Sequence, residues 1–438
     1  MKILSFILFF ILSNMAFAQN APAIKALENA VEEVEVFDDR DFKKWVEDFK
    51  KTAVKKYKIS QKTVDEAFKN IKYEPKVIVS DRKQPEFMKT FWSYYDSALK
   101  PERIAEGKIK LKKYSSLFNK VAKEYNVQPQ ILIAFWGMET NYGTYIGKYN
   151  VVQVLTTLAF DPRRSEFFTN ELVKALQIID NGHMKVSDMV GSWAGAFGNF
   201  QFMPSSFMAY AKDGNGDGKI DVINNIYDAV HSAANYLSKM GWNGKQKWGR
   251  PVLIDKKDKN LWEYVNSNEW KTVNFFKNLG VKQYNGSPLP TSDINASLIA
   301  PNGVDGPVFL VYDNFKYIMR WNASTNYALS VGLLSDAIVS NSTPLFDRPA
   351  NWNKIQPMTT VQIKEIQETL KKLGIYDTTV SGLYGKKTMQ AIKKYQKMLL
   401  NGDKKVSPKK VPITEYKSGN PVVQDGYPSF DLYEMLVK

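Results

Sequence analysis

Glu139 is the residue of this sequence best suited to acid–base chemistry. It lies in the segment GMETNYG at the end of an apolar run, with Trp136 and Tyr142 close by. Burial among such side chains disfavours the charged form of a carboxyl group and raises its pKa. A carboxyl group that keeps its proton can donate it to a leaving oxygen. The alternative is a glutamate that faces solvent or pairs with Arg163 or Arg164.

A second segment, GSWAGAFGNFQFMPSSF at 191–207, combines small residues with groups that form hydrogen bonds. Its glycines allow close approach of the backbone, and Ser192, Asn199 and Gln201 offer hydroxyl and amide groups beside aromatic rings. A sugar ring has apolar faces and hydroxyl edges, so this mixture predicts a carbohydrate site. The alternative is a tight turn before a helix that begins at Pro204.

The composition excludes several kinds of active site. The chain has 438 residues, no cysteine and only two histidines, which excludes thiolate metal sites, a cysteine nucleophile and a three-histidine metal centre. The formal net charge of +15 suits an anionic polymer. We therefore expect carboxylates, amides and hydroxyls to carry the chemistry, and surface or packing roles for His183 and His231.

Residues 1–18 are predicted to be a secretory signal peptide. One lysine precedes an apolar stretch, and Ala16-Phe17-Ala18 supplies the small residues of a cleavage site. The alternative is an uncleaved membrane anchor, for which the apolar stretch is short. We therefore expect an exported, periplasmic protein that is soluble after cleavage. It would have no lipid anchor, no integral membrane segment in the mature form and no nucleic acid partner.

The remaining chain is predicted to be mainly α, of the α+β class, with a small β element. Apolar residues recur at helical spacing over most of its first part, and short apolar runs at 297–300 and 308–312 predict a strand pair. The predicted helices of this part span residues 38–58, 60–70, 85–99, 111–125, 128–140, 164–180, 204–211 and 226–240.

A domain boundary is predicted where three prolines interrupt the pattern, in TPLFDRPANWNKIQP. We assign residues 19–345 to the first domain and 346–357 to a linker. Residues 358–438 are long enough for a small separate domain, predicted to contain three helices.

Four segments of the sequence resemble the lytic murein transglycosylase B family, secreted enzymes of bacterial cell-wall turnover. They are GMETNYG, GSWAGAFGNFQFMPSSF, DGNGDGKID and YDNFKYIMRWNASTNYALSV, in the family's order, and they cover roughly residues 40–342. The resemblance implies a lysozyme-like, mostly helical catalytic domain with Glu139 at the catalytic acid/base position. It also implies that Ser192 and Gln201 contact the substrate.

The fourth segment adds Trp321, Asn322 and Tyr327 to the candidate substrate-binding residues. The family usually has a tyrosine where this sequence has Trp321. We therefore expect the aromatic surface to be retained and the contact of a tyrosine hydroxyl to be lost.

The number of carboxylates decides which reaction is expected. Ordinary glycosidases place two carboxyl groups across the scissile bond, and neither motif shows an obvious second one. Glu139 alone would protonate the glycosidic oxygen and then deprotonate the sugar's 6-hydroxyl, which closes a 1,6-anhydro ring. The resemblance implies that the bond is the β-1,4 bond between N-acetylmuramic acid and N-acetylglucosamine of peptidoglycan. It also implies assistance by the 2-acetamido group, oriented by Ser192.

Two other functions stay open at the level of the sequence. A true muramidase would use a second carboxylate, for which Asp161, Asp180 and Asp188 are candidates. A non-catalytic peptidoglycan-binding scaffold would use Glu139 only to form hydrogen bonds with sugar.

The segment DGNGDGKID resembles an EF-hand calcium loop. Acidic or amide side chains occupy its positions 1, 3, 5 and 9, and a backbone carbonyl serves position 7. Position 12 is Asn224 instead of glutamate, so ligation is expected to close later in the chain. We expect no cofactor for the chemistry and a structural calcium ion beside the cleft, with a glycine-rich surface turn as the alternative. The expected ligands are Asp213, Asn215, Asp217, Lys219, Asp221 and Asp228.

Residues 358–438 resemble the peptidoglycan-binding domain often attached to wall enzymes. The match rests on Gln367, on VSGLYGKKTMQAI and on the final DGYPSFDLYEML, although Ser381 replaces the usual aspartate. A generic three-helix spacer is the alternative. Binding to the wall would raise the effective concentration of substrate for a tethered catalytic domain. The expected partners are peptidoglycan glycan strands, with other cell-wall enzymes as further candidates.

Overall fold

The computed structural model of the protein describes residues 39–83, 90–340, 346–348, 357–407, 412–417 and 419–438. The predicted signal peptide and most of the predicted linker lie outside these residues. Helices are the main elements of the described chain, and none of them is both long enough and apolar enough to span a membrane. The helices are α1 (Asp39–Lys55), α2 (Gln61–Phe68), α3 (Pro75–Lys83), α4 (Phe91–Ala98), α5 (Pro101–Lys113), α6 (Ser115–Tyr125), α7 (Pro129–Thr140), α8 (Val151–Phe160), α9 (Ser165–Asp180), α10 (Pro204–Tyr210), α11 (Ile226–Met240), α12 (Lys259–Tyr264), α13 (Val273–Asn278), α14 (Asp313–Trp321), α15 (Thr325–Val339), α16 (Thr360–Lys372), α17 (Lys386–Leu400) and α18 (Phe430–Val437).

The strands of the described residues form two antiparallel sheets. One is a two-stranded sheet of β1 and β2, and the other has five strands in the order β4-β6-β7-β3-β5. The strands are β1 (Tyr149–Asn150), β2 (Val190–Gly191), β3 (Gly249–Leu253), β4 (Lys271–Thr272), β5 (Lys282–Gln283), β6 (Asn295–Ile299) and β7 (Val308–Tyr312).

The predicted strand pair is part of the larger sheet. Strands β6 and β7 pair with Leu298 opposite Leu310, and both side chains are buried in a core that also contains Trp262 and Phe276. The pair was predicted because both strands are apolar runs. Strands β4 and β5 have only two residues each, which is too short for a readable alternation.

Two predicted helices differ from the structure at their ends. The helix predicted at 111–125 is preceded by α5, and Tyr114, with φ −105° and ψ 24°, separates α5 from α6. The helix predicted at 85–99 begins at Phe91 within the described residues, where the Thr90 side chain accepts a hydrogen bond from the Ser93 N–H. Such a cap satisfies a backbone donor that the first turn leaves free.

Helix α7 is a central helix of the first domain. It begins with Pro129, and all residues from Ile131 to Gly137 are buried, as expected for a helix that is apolar on every side. It packs against α5, α6, α11 and α15. The helix ends where Asn141 adopts the left-handed conformation, so Glu139 lies in the last turn of a buried helix.

The C-terminal domain has a core of its own and is docked against the five-stranded sheet and its helices. Lys393 of α17 donates hydrogen bonds to the carbonyl oxygens of Trp262 and Glu263, at 3.2 Å each. The buried Asp425 carboxylate accepts a hydrogen bond of 3.0 Å from the Val304 N–H. The sequence predicted a tethered domain, and in the structure these contacts hold it against the first domain.

Candidate active site

The Glu139 carboxyl group receives two hydrogen bonds on the same oxygen. The indole N–H of Trp321 donates to Glu139 Oε1 at 3.0 Å, and the hydroxyl of Tyr327 donates to Oε1 at 2.5 Å. Both donors come from the region where α14 ends and α15 begins. Because Oε1 is occupied by donors, Oε2 is the oxygen left to carry and transfer a proton.

Burial raises the pKa of Glu139 to about 7, although the hydrogen bonds from Tyr327 and Trp321 lower it. A pKa near 7 allows the group to act first as an acid and then as a base at neutral pH. The alternative pairing with arginine does not occur, because Arg163 and Arg164 both form ion pairs with Asp81.

The ring of Trp321 is fixed by other aromatic rings. Its centroid lies 4.6 Å from that of Phe135, 4.7 Å from that of Tyr236 and 5.3 Å from that of Phe202. This packing orients the indole N–H towards Glu139. The tryptophan therefore supplies a hydrogen-bond donor that the sequence did not predict, in a position where the family usually has a tyrosine.

Ser192 and Gln201 lie on one loop and keep free hydrogen-bonding capacity among the described residues. The Ser192 Oγ accepts from the Ala196 N–H at 3.1 Å, which leaves its hydroxyl hydrogen to donate. The Gln201 Nε2 donates to the carbonyl oxygens of Ile146 and Gly198, and its Oε1 stays available. Gln201 has φ +47°, a left-handed conformation that turns the loop back on itself.

Asn322 follows Trp321 at the end of α14. Its Oδ1 accepts a hydrogen bond of 3.1 Å from the Ser324 N–H, and its Nδ2 keeps both hydrogens for a ligand. Trp321 and Tyr327 bind Glu139 directly, and Asn322 is the next residue after Trp321 in the chain.

Asn199 has a different position from the one that the sequence predicted. Its Oδ1 accepts from the Trp136 indole N–H at 2.8 Å, and its Nδ2 donates to the carbonyl oxygens of Val222 and Ile223. The side chain is buried, and its amide group is used within the protein. Asn199 therefore joins α7 to the loop that carries Gln201, and the substrate contact expected for it is corrected to this positioning role.

A close backbone contact brings the segment after Glu139 against the Ser192 loop. A Cβ atom built on Gly147 would lie 2.0 Å from the Gly191 carbonyl oxygen, and Gly147 has φ +105°. Next to it, Tyr149 of β1 pairs with Gly191 of β2. Only glycine allows this approach.

The three candidate second carboxylates are engaged away from Glu139. Asp161 forms an ion pair of 2.7 Å with Arg82. The carboxylate of Asp180 accepts hydrogen bonds from Ser60 and Thr63, and Asp188 is exposed, with its carboxylate bonded to Ser187. None of the three is a hydrogen-bonding partner of Glu139 in the described structure, where Trp321 and Tyr327 bind its carboxyl group.

The expected calcium ligands do not form a metal cage in the described structure. Both carboxylate oxygens of Asp228 accept backbone hydrogen bonds of 2.8 Å, from Gly214 and Asp221. The Asp213 carboxylate accepts the N–H groups of the loop's own turn. No group of three or more His, Cys, Asp or Glu side chains in the described ranges could hold a metal ion. The loop is closed by hydrogen bonds from its own backbone N–H groups to the carboxylates of Asp213 and Asp228.

The two histidines lie in packing contacts. His231 is buried, with its Nδ1 3.3 Å from the Tyr125 hydroxyl, and the His183 ring contacts Phe207 edge-on. Neither contacts Glu139, in agreement with the roles expected for them.

Comparison with known families gives two matches. Residues 41–336 match the family described as "Transglycosylase SLT domain", and residues 359–399 match the family described as "Putative peptidoglycan binding domain". The chain is also 32% identical over 248 residues to the membrane-bound lytic murein transglycosylase B of Escherichia coli (strain K12). That alignment covers 56% of this chain and 66% of that protein.

Solved structures support the same relationship. The crystal structure of SltB3 from Pseudomonas aeruginosa with NAG-anhNAM-pentapeptide is 35% identical, with a TM-score of 0.80, over 91% of this chain and 99% of that one. Escherichia coli Slt35 in complex with calcium is 27% identical, with a TM-score of 0.58, over 67% of this chain and 92% of that one. The first family model alone spans more than half of the sequence, and the chain therefore belongs to the transglycosylase SLT domain family.

Proposed function

We propose that this protein is a lytic transglycosylase that cleaves the β-1,4 bond between N-acetylmuramic acid and N-acetylglucosamine in peptidoglycan without water. The observation that carries the proposal is a partly buried Glu139 whose two donors both bind Oε1. The relative SltB3 was crystallised with a ligand that contains an anhydro-NAM unit, which supports the same product here.

In the first step, Glu139 is protonated on Oε2 and donates this proton to the glycosidic oxygen. The bond from the anomeric carbon to that oxygen breaks, and the N-acetylglucosamine hydroxyl leaves. The muramic acid ring gains oxocarbenium-like character, and its 2-acetamido group stabilises the positive charge. The donors from Trp321 and Tyr327 stabilise the carboxylate that forms.

In the second step, the Glu139 carboxylate removes the proton from the 6-hydroxyl of the same muramic acid unit. The 6-oxygen attacks the anomeric carbon and closes the 1,6-anhydro ring. Glu139 ends the cycle protonated, as it began, and no water is consumed. One carboxyl group is sufficient because the nucleophile belongs to the substrate.

The surrounding side chains bind and orient the sugar. The Ser192 hydroxyl orients the 2-acetamido group, and the Gln201 Oε1 and Asn322 Nδ2 form hydrogen bonds with sugar hydroxyls or amides. These groups are the ones that hydrogen bonds within the protein leave available.

Export to the periplasm and wall binding by the C-terminal domain belong to the same proposal. A signal peptide at 1–18 would bring the enzyme to the peptidoglycan. The match of residues 359–399 to a peptidoglycan-binding family supports wall binding.

A hydrolase is the competing enzyme, and a sugar-binding scaffold is the competing non-enzyme. The engagement of Asp161, Asp180 and Asp188 elsewhere argues against a hydrolase. A non-catalytic sugar-binding scaffold would not need a carboxyl group whose pKa is raised to about 7.

The mass spectrum of muropeptides after digestion of purified peptidoglycan separates the three functions. A lytic transglycosylase releases anhydro products, one water lighter than the products of a hydrolase. A hydrolase releases free reducing ends, and a scaffold releases nothing. Reducing ends alone, or no products, would refute the proposal.

A further inference from the structure

Arg103 lies where the ends of α4, α5 and α7 meet, in contact with residues on either side of Glu139 in the chain. It belongs to the first turn of α5, and its Nη1 donates to the Ser97 carbonyl oxygen at the end of α4, at 2.8 Å. Its Nε donates to Asn141 Oδ1 at 3.3 Å, two residues after Glu139 in the chain. The backbone carbonyl oxygen of Arg103 accepts a hydrogen bond of 2.8 Å from the Tyr142 hydroxyl. The bonds with Asn141 and Tyr142 fix Arg103 to the segment that follows the acid.

Every partner of the Arg103 guanidinium in the described structure is neutral. These partners are a carbonyl oxygen, an amide oxygen and the Met138 sulfur at 4.0 Å. The nearby acid Glu106 pairs with Lys110 instead. Arg103 is half-buried, and burial lowers its pKa. A half-buried cation without a carboxylate partner costs free energy that an incoming anion recovers.

The guanidinium also has N–H groups that these contacts do not use. Arginine carries five N–H groups in a planar fork, and the contacts above involve only Nε and Nη1. Both hydrogens of Nη2 therefore have no acceptor among the described residues. A fork of this geometry is best matched by a carboxylate.

We infer that Arg103 binds a carboxylate of the substrate next to the scissile bond. The inference rests on the proposed function, because peptidoglycan supplies carboxylates close to the muramic acid ring. One source is the lactyl group of N-acetylmuramic acid, which is a free carboxylate in strands without peptides. The other source is the stem peptide, attached through that lactyl group. Both present the same chemistry to the guanidinium.

The test measures KM and kcat of the full chain on three preparations of glycan strands. These strands carry peptides, carry no peptides, or have had all carboxyl groups converted to methyl amides. Arg103→Gln is expected to raise KM about tenfold on a carboxylate-bearing substrate, as for the loss of ~1.4 kcal/mol of binding, with little change in kcat. Arg103→Lys is expected to lie between, since it keeps the charge without the fork.

The three substrates distinguish the sources and the failures. An effect on peptide-free strands identifies the lactyl carboxylate, and an effect on peptide-bearing strands alone identifies the stem peptide. On the amidated strands, wild type and Arg103→Gln should have the same KM. An equal rise of KM on amidated strands, or no rise on any strand, would overturn the inference.

Two further variants keep the result independent of folding. Lys108→Gln removes a positive charge from the same helix, where Lys108 donates to the Ser340 carbonyl oxygen, and it should leave KM unchanged. Asn141→Asp places a carboxylate next to the Arg103 Nε, so it should preserve the fold and raise KM on carboxylate-bearing strands.

If wild type forms no anhydro products, the proposed function fails. If anhydro products form but wild type and Arg103→Gln have the same KM on every substrate, only this inference fails.

Discussion

Trp321 and Glu139 are joined by a hydrogen bond of 3.0 Å from the indole N–H to Oε1. They lie 182 positions apart in the chain, at the ends of two different helices. An indole N–H can donate but cannot accept or ionise at neutral pH. The bond therefore favours the charged form of Glu139 at every pH at which the enzyme works.

Removal of this donor should shift the pH dependence of the reaction. A donor to the carboxylate lowers the pKa of Glu139, so Trp321→Phe should raise that pKa above 7. In the proposed mechanism the first step requires protonated Glu139, so activity should fall as pH rises through this pKa. The alkaline limb of the kcat profile should therefore move up by about one pH unit. Trp321→Tyr should restore much of the wild-type profile through its hydroxyl. An unchanged limb in Trp321→Phe would contradict the assigned hydrogen bond.

Replacement of the acid itself separates chemistry from binding. Glu139→Gln has nearly the same shape but cannot exchange a proton, so anhydro products should decrease by about 100-fold or more. Sedimentation with insoluble peptidoglycan should still show binding. Retained turnover would remove Glu139 from the mechanism.

The contact between Gly147 and Gly191 should tolerate no side chain. Gly147→Ala would place a Cβ 2.0 Å from a carbonyl oxygen, and such overpacking should cost about 3 kcal/mol in the free energy of unfolding. Gly182→Ala is the matched control, because Gly182 has φ +77° but open space around its Cβ position. It should cost only the ~1 kcal/mol of a left-handed alanine. Equal costs in urea denaturation would show that the close contact is unimportant.

Asp228 should stabilise the loop at 213–221 in the presence or absence of calcium. Its two oxygens accept the N–H groups of Gly214 and Asp221, and Asp228→Ala would leave both donors without a partner, at ~1–3 kcal/mol each. The thermal midpoint should decrease in this variant, and that of the wild type should not change on addition of calcium or a chelator. A large rise with calcium would mean that the loop rearranges to bind the ion.

Lys393 should hold the C-terminal domain in place. Burial lowers the pKa of Lys393 to about 8, and Lys393→Met would leave the carbonyl oxygens of Trp262 and Glu263 without their donor. The free energy of unfolding should decrease by ~1–3 kcal/mol, and small-angle scattering should show a larger radius of gyration. Lys397→Met breaks only an exposed ion pair with Glu263, so it should change stability by less than ~1 kcal/mol. The same radius in both variants would contradict the docking role.

The sequence was most informative where local pattern and chemistry coincide. A glutamate at the end of an all-apolar run pointed to Glu139, and the density of glycines pointed to the loop of Ser192 and Gln201. The role of Trp321 was not readable, because its orientation depends on Phe135 and Tyr236, which are remote in the sequence.

Other features were unpredictable for similar reasons. Asn199 stands among sugar-binding residue types, but its burial depends on a loop more than 20 residues away. Lys393 belongs to a lysine-rich helix face that is typical of solvent exposure. Only its contacts with the carbonyl oxygens of α12 show that this lysine is partly enclosed.

The buried contacts of Lys393 and Asp425 have a consequence for how the enzyme would travel over its polymer. A flexibly linked binding domain lets the active site reach many neighbouring linkages. A rigidly docked one holds the active site at a fixed distance from the point of binding. If the proposed function is correct, each binding of the C-terminal domain to peptidoglycan would determine which linkage along a strand reaches Glu139. Fragment lengths would then be set by the spacing between the two units of the protein.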